Sequence, residues 1–73
     1  MMNLDDLTDE QRQQLDSIKS IVGHCVVMLL AQRKTINTAN LLSQIAGEME
    51  KIPERSEFNK YRATLEFVGT VSQ

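Results

Sequence analysis

The sequence has no tryptophan, one cysteine, one histidine, one proline and three glycines among 73 residues. A single cysteine cannot close an internal disulfide, so nothing argues for an oxidising compartment. One cysteine and one histidine also fall short of the about four converging ligands that a zinc site needs. Aromatic residues make up only 4% of the chain, too few for a typical sheet, whereas Leu, Gln, Glu, Met and Ala are plentiful and favour helix. No apolar run approaches the roughly 20 residues of a bilayer span. The longest is Cys25 to Ala31. The N-terminal stretch MMNLDDLTDE starts acidic and lacks the positive start and apolar stretch of an export signal. The expectation is an all-α cytoplasmic protein with no membrane segment.

What is present is ordinary for a folded domain: 41% hydrophobic and 25% charged residues, with a net charge of −2. An acidic balance gives no general pull toward polyanions. Residues 1–73 read as a single small domain. A chain of this size buries only roughly 60% of the surface its unfolded form exposes, so pairing with a second copy is a natural route to stability.

Three helices are expected, over approximately 9–32, 38–51 and 57–68. Thr8 and Gln11 fit a capping box, and Asp9 and Glu10 suit the positive end of the helix dipole. Asp5 and Asp6 extend this acidic cluster at the helix start. Leu15, Ile18, Val22, Cys25 and Leu29 then recur at alternating spacings of three and four. Ile21, Val26, Met28 and Leu30 widen the stripe beyond what one neighbouring helix covers. Asn37 reads as the N-cap of the second helix, with Ile36 and Leu41 placed as a hydrophobic staple. Leu41, Leu42, Ile45, Ala46, Met49 and Ile52 mark its buried face, and Pro53 ends it by disfavouring helix at Ile52. Ser56 is the expected cap of the third helix, where Phe58, Tyr61, Leu65 and Val68 repeat before Gly69 loosens the end.

The only cysteine and histidine are adjacent, in Gly23-His24-Cys25. Neighbours on a helix diverge by about 100°, so His24 and Cys25 cannot readily close on one metal ion, and His24 points away from the thiol it would have to activate. Cys25 therefore reads as a core residue without redox or metal chemistry, and His24 as a solvated or interface residue beside Ser17 and Ser20. Glu48 and Glu50 read as a solvated face. No phosphate-binding glycine loop, nucleophile elbow or apolar carboxylate pair is present. A chain this small also offers little room for a ligand pocket. The expectation is a non-enzymatic protein with no catalytic residue, cofactor, metal or small-molecule substrate.

The basic residues gather at the corners, with Arg33 and Lys34 after the first helix and Lys51 and Arg55 around the second corner. They form a candidate rim for docking a partner. Lys60 and Arg62 lie on the third helix. A helix-turn-helix would make that helix read base edges, for which Glu57 and Glu66 are poorly suited. Ile18, Val22, Cys25, Val26 and Leu29 are the candidate core and dimer interface.

The segment LLAQRKTINTANLL at residues 29–42, followed by YRATLEFV at 61–68, resembles the YmgB/AriR family of small enterobacterial regulators of biofilm development and acid resistance. The similarity is one of pattern over about Leu15 to Val68: an apolar helix, a polar corner with Asn, a second apolar helix and a Leu-Glu-x-Val-like ending. It implies an all-α homodimer that acts as a connector in two-component signalling, with a phosphorelay kinase as the kind of partner expected and DNA binding as the alternative. The acidic N-terminal arm is shorter than the family pattern.

Overall fold

The computed structural model describes residues 8–71 and folds as three helices, α1 (Asp9–Ala31), α2 (Thr38–Met49) and α3 (Arg55–Val71). Asp5 and Asp6 lie outside the described residues. No strand occurs among those described, so the all-α expectation holds. Each helix packs against the other two.

Local chemistry explains where α1 and α2 begin. The Thr8 hydroxyl accepts from the Gln11 N–H at 3.1 Å while the Thr8 N–H donates to Gln11 Oε1 at 2.9 Å. The box thus satisfies two N–H groups that the first turn leaves unpaired. Asn37 Oδ1 accepts from the Asn40 N–H at 2.8 Å and caps α2 in the same way.

The end of α1 has an unexpected stop. Arg33 adopts φ 59°, the left-handed region that glycine normally fills after a helix. Its N–H donates to Leu30 O at 3.0 Å and the Lys34 N–H donates to Leu29 O at 2.9 Å. These two bonds are a Schellman closure built on arginine.

α2 is shorter than expected, ending at Met49, with Lys51 and Ile52 bonded back in tighter turns to Glu48 O and Met49 O. The expected Ser56 cap is wrong. The Phe58 N–H donates to Glu54 O at 3.0 Å, so Glu54 precedes the first turn and Ser56 sits inside the helix. Pro53 restricts the residue before it and not those after it, which leaves the chain free to turn helical at once. At the other end α3 runs through Gly69 to Val71. No glycine takes a positive φ among the described residues, and without that switch Gly69 weakens the helix without ending it.

Ile21 and Cys25 of α1, Ile45 of α2 and Val68 of α3 form the core, with Val22, Leu41, Leu42, Tyr61 and Leu65 packed against it. Complete burial of Ile45 stabilises the fold by roughly 1.5–3 kcal/mol relative to leaving it exposed. The rest of the expected α2 face, including Met49 and Ile52, is half-buried. Thr64 is fully buried although polar. It lies between Tyr61 and Val68 on the inner face of α3, and its hydroxyl donates to Lys60 O at 2.8 Å. That bond removes the penalty of burying an unpaired hydroxyl. By length and mean hydropathy, 1.3 over its most apolar window, α1 is long and apolar enough to cross a membrane. Core helices and signal sequences near an N-terminus pass the same test; 22% of this window is buried, and α1 supplies Ile18, Ile21, Cys25 and Leu29 to the buried set.

Candidate functional site

The seam between α1 and α2 gathers the titratable groups. Glu48, on α2, meets His24 Nε2 with Oε1 at 2.6 Å and accepts the Cys25 thiol on Oε2 at 3.6 Å. Gln44, one turn before it, donates Nε2 to Glu48 Oε2 at 2.9 Å and accepts from Gln32 Nε2 at 3.0 Å. A continuous run of polar contacts therefore joins Gln32, Gln44, Glu48, His24 and Cys25 across the seam.

This corrects two expectations. Glu48 is no solvated carboxylate, and His24 does not stand apart from Cys25. The two side chains do diverge on α1, but a carboxylate from α2 has two oxygens and reaches one with each. The missed signal was a polar Gln44-x-x-x-Glu48 pair flanking Ile45, which places two polar side chains one turn apart at the edge of a buried stripe.

Burial pushes the Cys25 thiol up to about 12, and the Glu48 charge and hydrogen bond push the same way. At neutral pH it is a protonated thiol, and the thiolate is the reactive form. Burial alone would raise the Glu48 carboxyl as well. Hydrogen bonds from Gln44 and His24, the charge of His24 and the thiol bond outweigh it and hold Glu48 below the usual carboxylate range. Tyr61 is raised by burial first, then by the nearby charges of Glu48, Cys25 and Glu57. Among the described residues, no group of three or more His, Cys, Asp and Glu is arranged to hold a metal.

Beside the seam an open groove of about 690 Å3 runs between α1 and α2 to Tyr61 of α3. The expected lack of room is corrected to this extent: a groove open to solvent, and not an enclosed cavity, lies along the seam. Lys34 and Lys51, from different corners, both line this groove together with Glu48 and Glu50. Arg33 and Arg55 are exposed but do not line it. The candidate rim is therefore two separate features, a lysine pair facing the groove and two arginines away from it. On α3, Lys60 pairs with Glu57 at 3.1 Å and Arg62 with Glu66 at 3.5 Å.

The candidate interface on α1 divides in the same fashion. Ile18, Cys25 and Leu29 are buried within the protomer, while Val22 and Val26 are half-buried. The large apolar side chains left exposed on α1 are Val27 at 62%, Leu30 at 59% and Met28 at 36%. No protein-family model, curated protein or solved structure matches the chain.

Proposed function

We propose that this chain is a small cytoplasmic regulatory protein that acts as a homodimer by docking on another protein. The observation that carries this reading is the exposure of Val27 and Leu30 on a helix whose opposite side supplies Ile18, Ile21, Cys25 and Leu29 to the buried set. Branched apolar side chains left in water on a short chain favour contact with another protein surface. The resemblance to the YmgB/AriR family makes a connector in two-component signalling the most specific form of the proposal. Biofilm formation and acid or stress response are then the processes served, and a phosphorelay kinase the kind of partner. Lys34 and Lys51 on one groove suit an acidic partner surface, whose approach they would orient and speed.

A non-enzymatic role fits the seam, since the thiol is held protonated and Glu48 is occupied by three donors. DNA binding is the alternative. It is disfavoured by the net charge of −2 and by the ion pairs that engage Lys60 and Arg62. Titration of the purified chain against purified sensor kinases and duplex DNA, across a salt series, separates the two. Kinase binding that changes little with salt supports docking. Tight, sequence-selective duplex binding at about 150 mM salt, falling steeply as salt rises, would establish the alternative.

A further inference from the structure

The groove beside the α1–α2 seam carries a lysine toward each end of α2. Lys34 precedes Thr35, whose carbonyl accepts from the Asn40 side chain at 2.7 Å near the start of α2, and Lys51 follows its last turn. From Asn40 to Lys51 a helix advances roughly 16 Å, about three turns. Neither ammonium has an ion pair among the described residues, whereas Lys60 and Arg62 are engaged on α3. Of the two glutamates lining the groove, Glu48 is held by His24, Gln44 and Cys25. Glu50 is then the one unengaged carboxylate there, against two lysines. Met28, Ile52 and Tyr61 supply apolar surface, and Gly47 puts no side chain into the space.

We infer that this groove receives one helix of a partner protein, laid along α2 with an acidic side chain toward each lysine. The inference rests on the docking reading and names the kind of segment that docks. Two unpaired cations facing one free carboxylate leave a positive balance that an acidic segment neutralises. Their separation matches two carboxylates about 11 residues apart on a helix, a spacing that closes three turns to within about 20° and so puts both on one face. A strand is the poorer occupant. The backbone N–H and C=O groups of α1 and α2 are spent within the helices, so an extended segment would find no ladder to join. A helix satisfies its own backbone and presents side chains alone, with apolar ones between the carboxylates to meet Met28, Ile52 and Tyr61. At Gly47 even an added Cβ would meet nothing within 4 Å, so no part of the chain has to move to admit it.

Tyr61 is the only tyrosine of a chain without tryptophan, so its emission reports on the groove. The probe is a lactam-stapled helical peptide of about 18 residues, free of aromatics, with two Glu about 11 apart on a Leu face. Titrated into the full chain at low salt, it should saturate with a change in Tyr61 emission, and the same peptide with Lys in place of each Glu should bind more weakly. Lys34→Glu and Lys51→Glu should each weaken binding of the acidic peptide roughly fivefold. Gly47→Leu should weaken it by about tenfold or more by filling the groove, with helical content kept because leucine is the better helix former. Gly69→Ala, outside the groove, should bind like wild type. No saturable binding, equal binding of the two peptides, or indifference to Gly47→Leu would overturn the inference. So would a fall in the mass found by sedimentation for Gly47→Leu, which would give the groove to a second copy. Sensor-kinase binding that survives Gly47→Leu would overturn this site and keep the docking reading, whereas a chain that takes neither kinase nor peptide would overturn both.

Discussion

His24 and Glu48 stand 24 positions apart in the sequence and meet at 2.6 Å across the α1–α2 seam. The same carboxylate takes the thiol of the neighbouring Cys25, so one side chain of α2 fastens two consecutive residues of α1. Substituting Glu48→Gln keeps the shape but removes the charge and one acceptor. It should cost about 1.5–2 kcal/mol in urea unfolding, the low end of the range for hydrogen bonds to a charged group, because the His24 side chain is half-exposed. An unchanged midpoint would show that the seam adds nothing to stability.

Cys25 itself should be replaceable. Cys25→Ala deletes a small, fully buried group and leaves Glu48 with donors from His24 and Gln44. The expected loss is on the order of 1 kcal/mol, with partner binding retained. Stoichiometric zinc in the purified protein, or inactivation by mild oxidation that thiols reverse, would contradict the structural role.

Acid should loosen the seam. Glu48 is held below its ordinary value of 4.5 in the folded chain, so the unfolded chain binds this proton more readily. Its contribution is fully present above the unfolded value and is lost as pH falls through the folded one. Thermal melts from pH 6 down to pH 3 should show a decline that is shallower in Glu48→Gln. Equal slopes for the two proteins would assign the decline to other carboxylates.

The positive φ of Arg33 gives a prediction of opposite sign. An L-residue with a Cβ is disfavoured in this region by roughly 1–2 kcal/mol, partly offset in glycine by the entropy it loses on folding. Arg33→Gly should therefore raise stability by about 0.5–1 kcal/mol, measured as an upward shift of the urea midpoint. If it lowers stability, Arg33 makes a contact whose loss outweighs the relief of strain.

Reversing Lys34 and Lys51 to Glu tests the groove. Both line it and both are exposed, so helical content and the mass in sedimentation should not change. Association with an acidic partner should slow by roughly tenfold at low salt, and the difference should shrink as salt screens it. Reversing Arg33 and Arg55, which lie outside the groove, should have the smaller effect.

Features set by nearest neighbours were legible in the sequence. The Thr8–Gln11 box and the Asn37 cap involve residues three apart, and the three-four spacing of Ile18, Val22, Cys25 and Leu29 reports which side of α1 is buried. What was not legible depends on chain segments far apart. Ser56 is as good a cap as Asn37 in isolation, and only the course of the chain after Pro53 places it within α3. Glu48 reads as a surface residue on its own helix, and its role exists only because α1 lies alongside. Val27 shows the converse. It belongs to an apolar run, yet the number of neighbouring helices leaves it in water.

The complete burial of Cys25, the only cysteine in the chain, makes it a clock for opening. A thiol reagent cannot reach Sγ while α1 and α2 are closed, so labelling must wait for the seam to separate. When closing is fast relative to modification, the labelling rate reports the population of the open form, and at high reagent it reports the opening rate itself. The chain thus carries a native reporter of its own breathing. Ligands that clamp the helices together would be detected as a slowing of that single reaction.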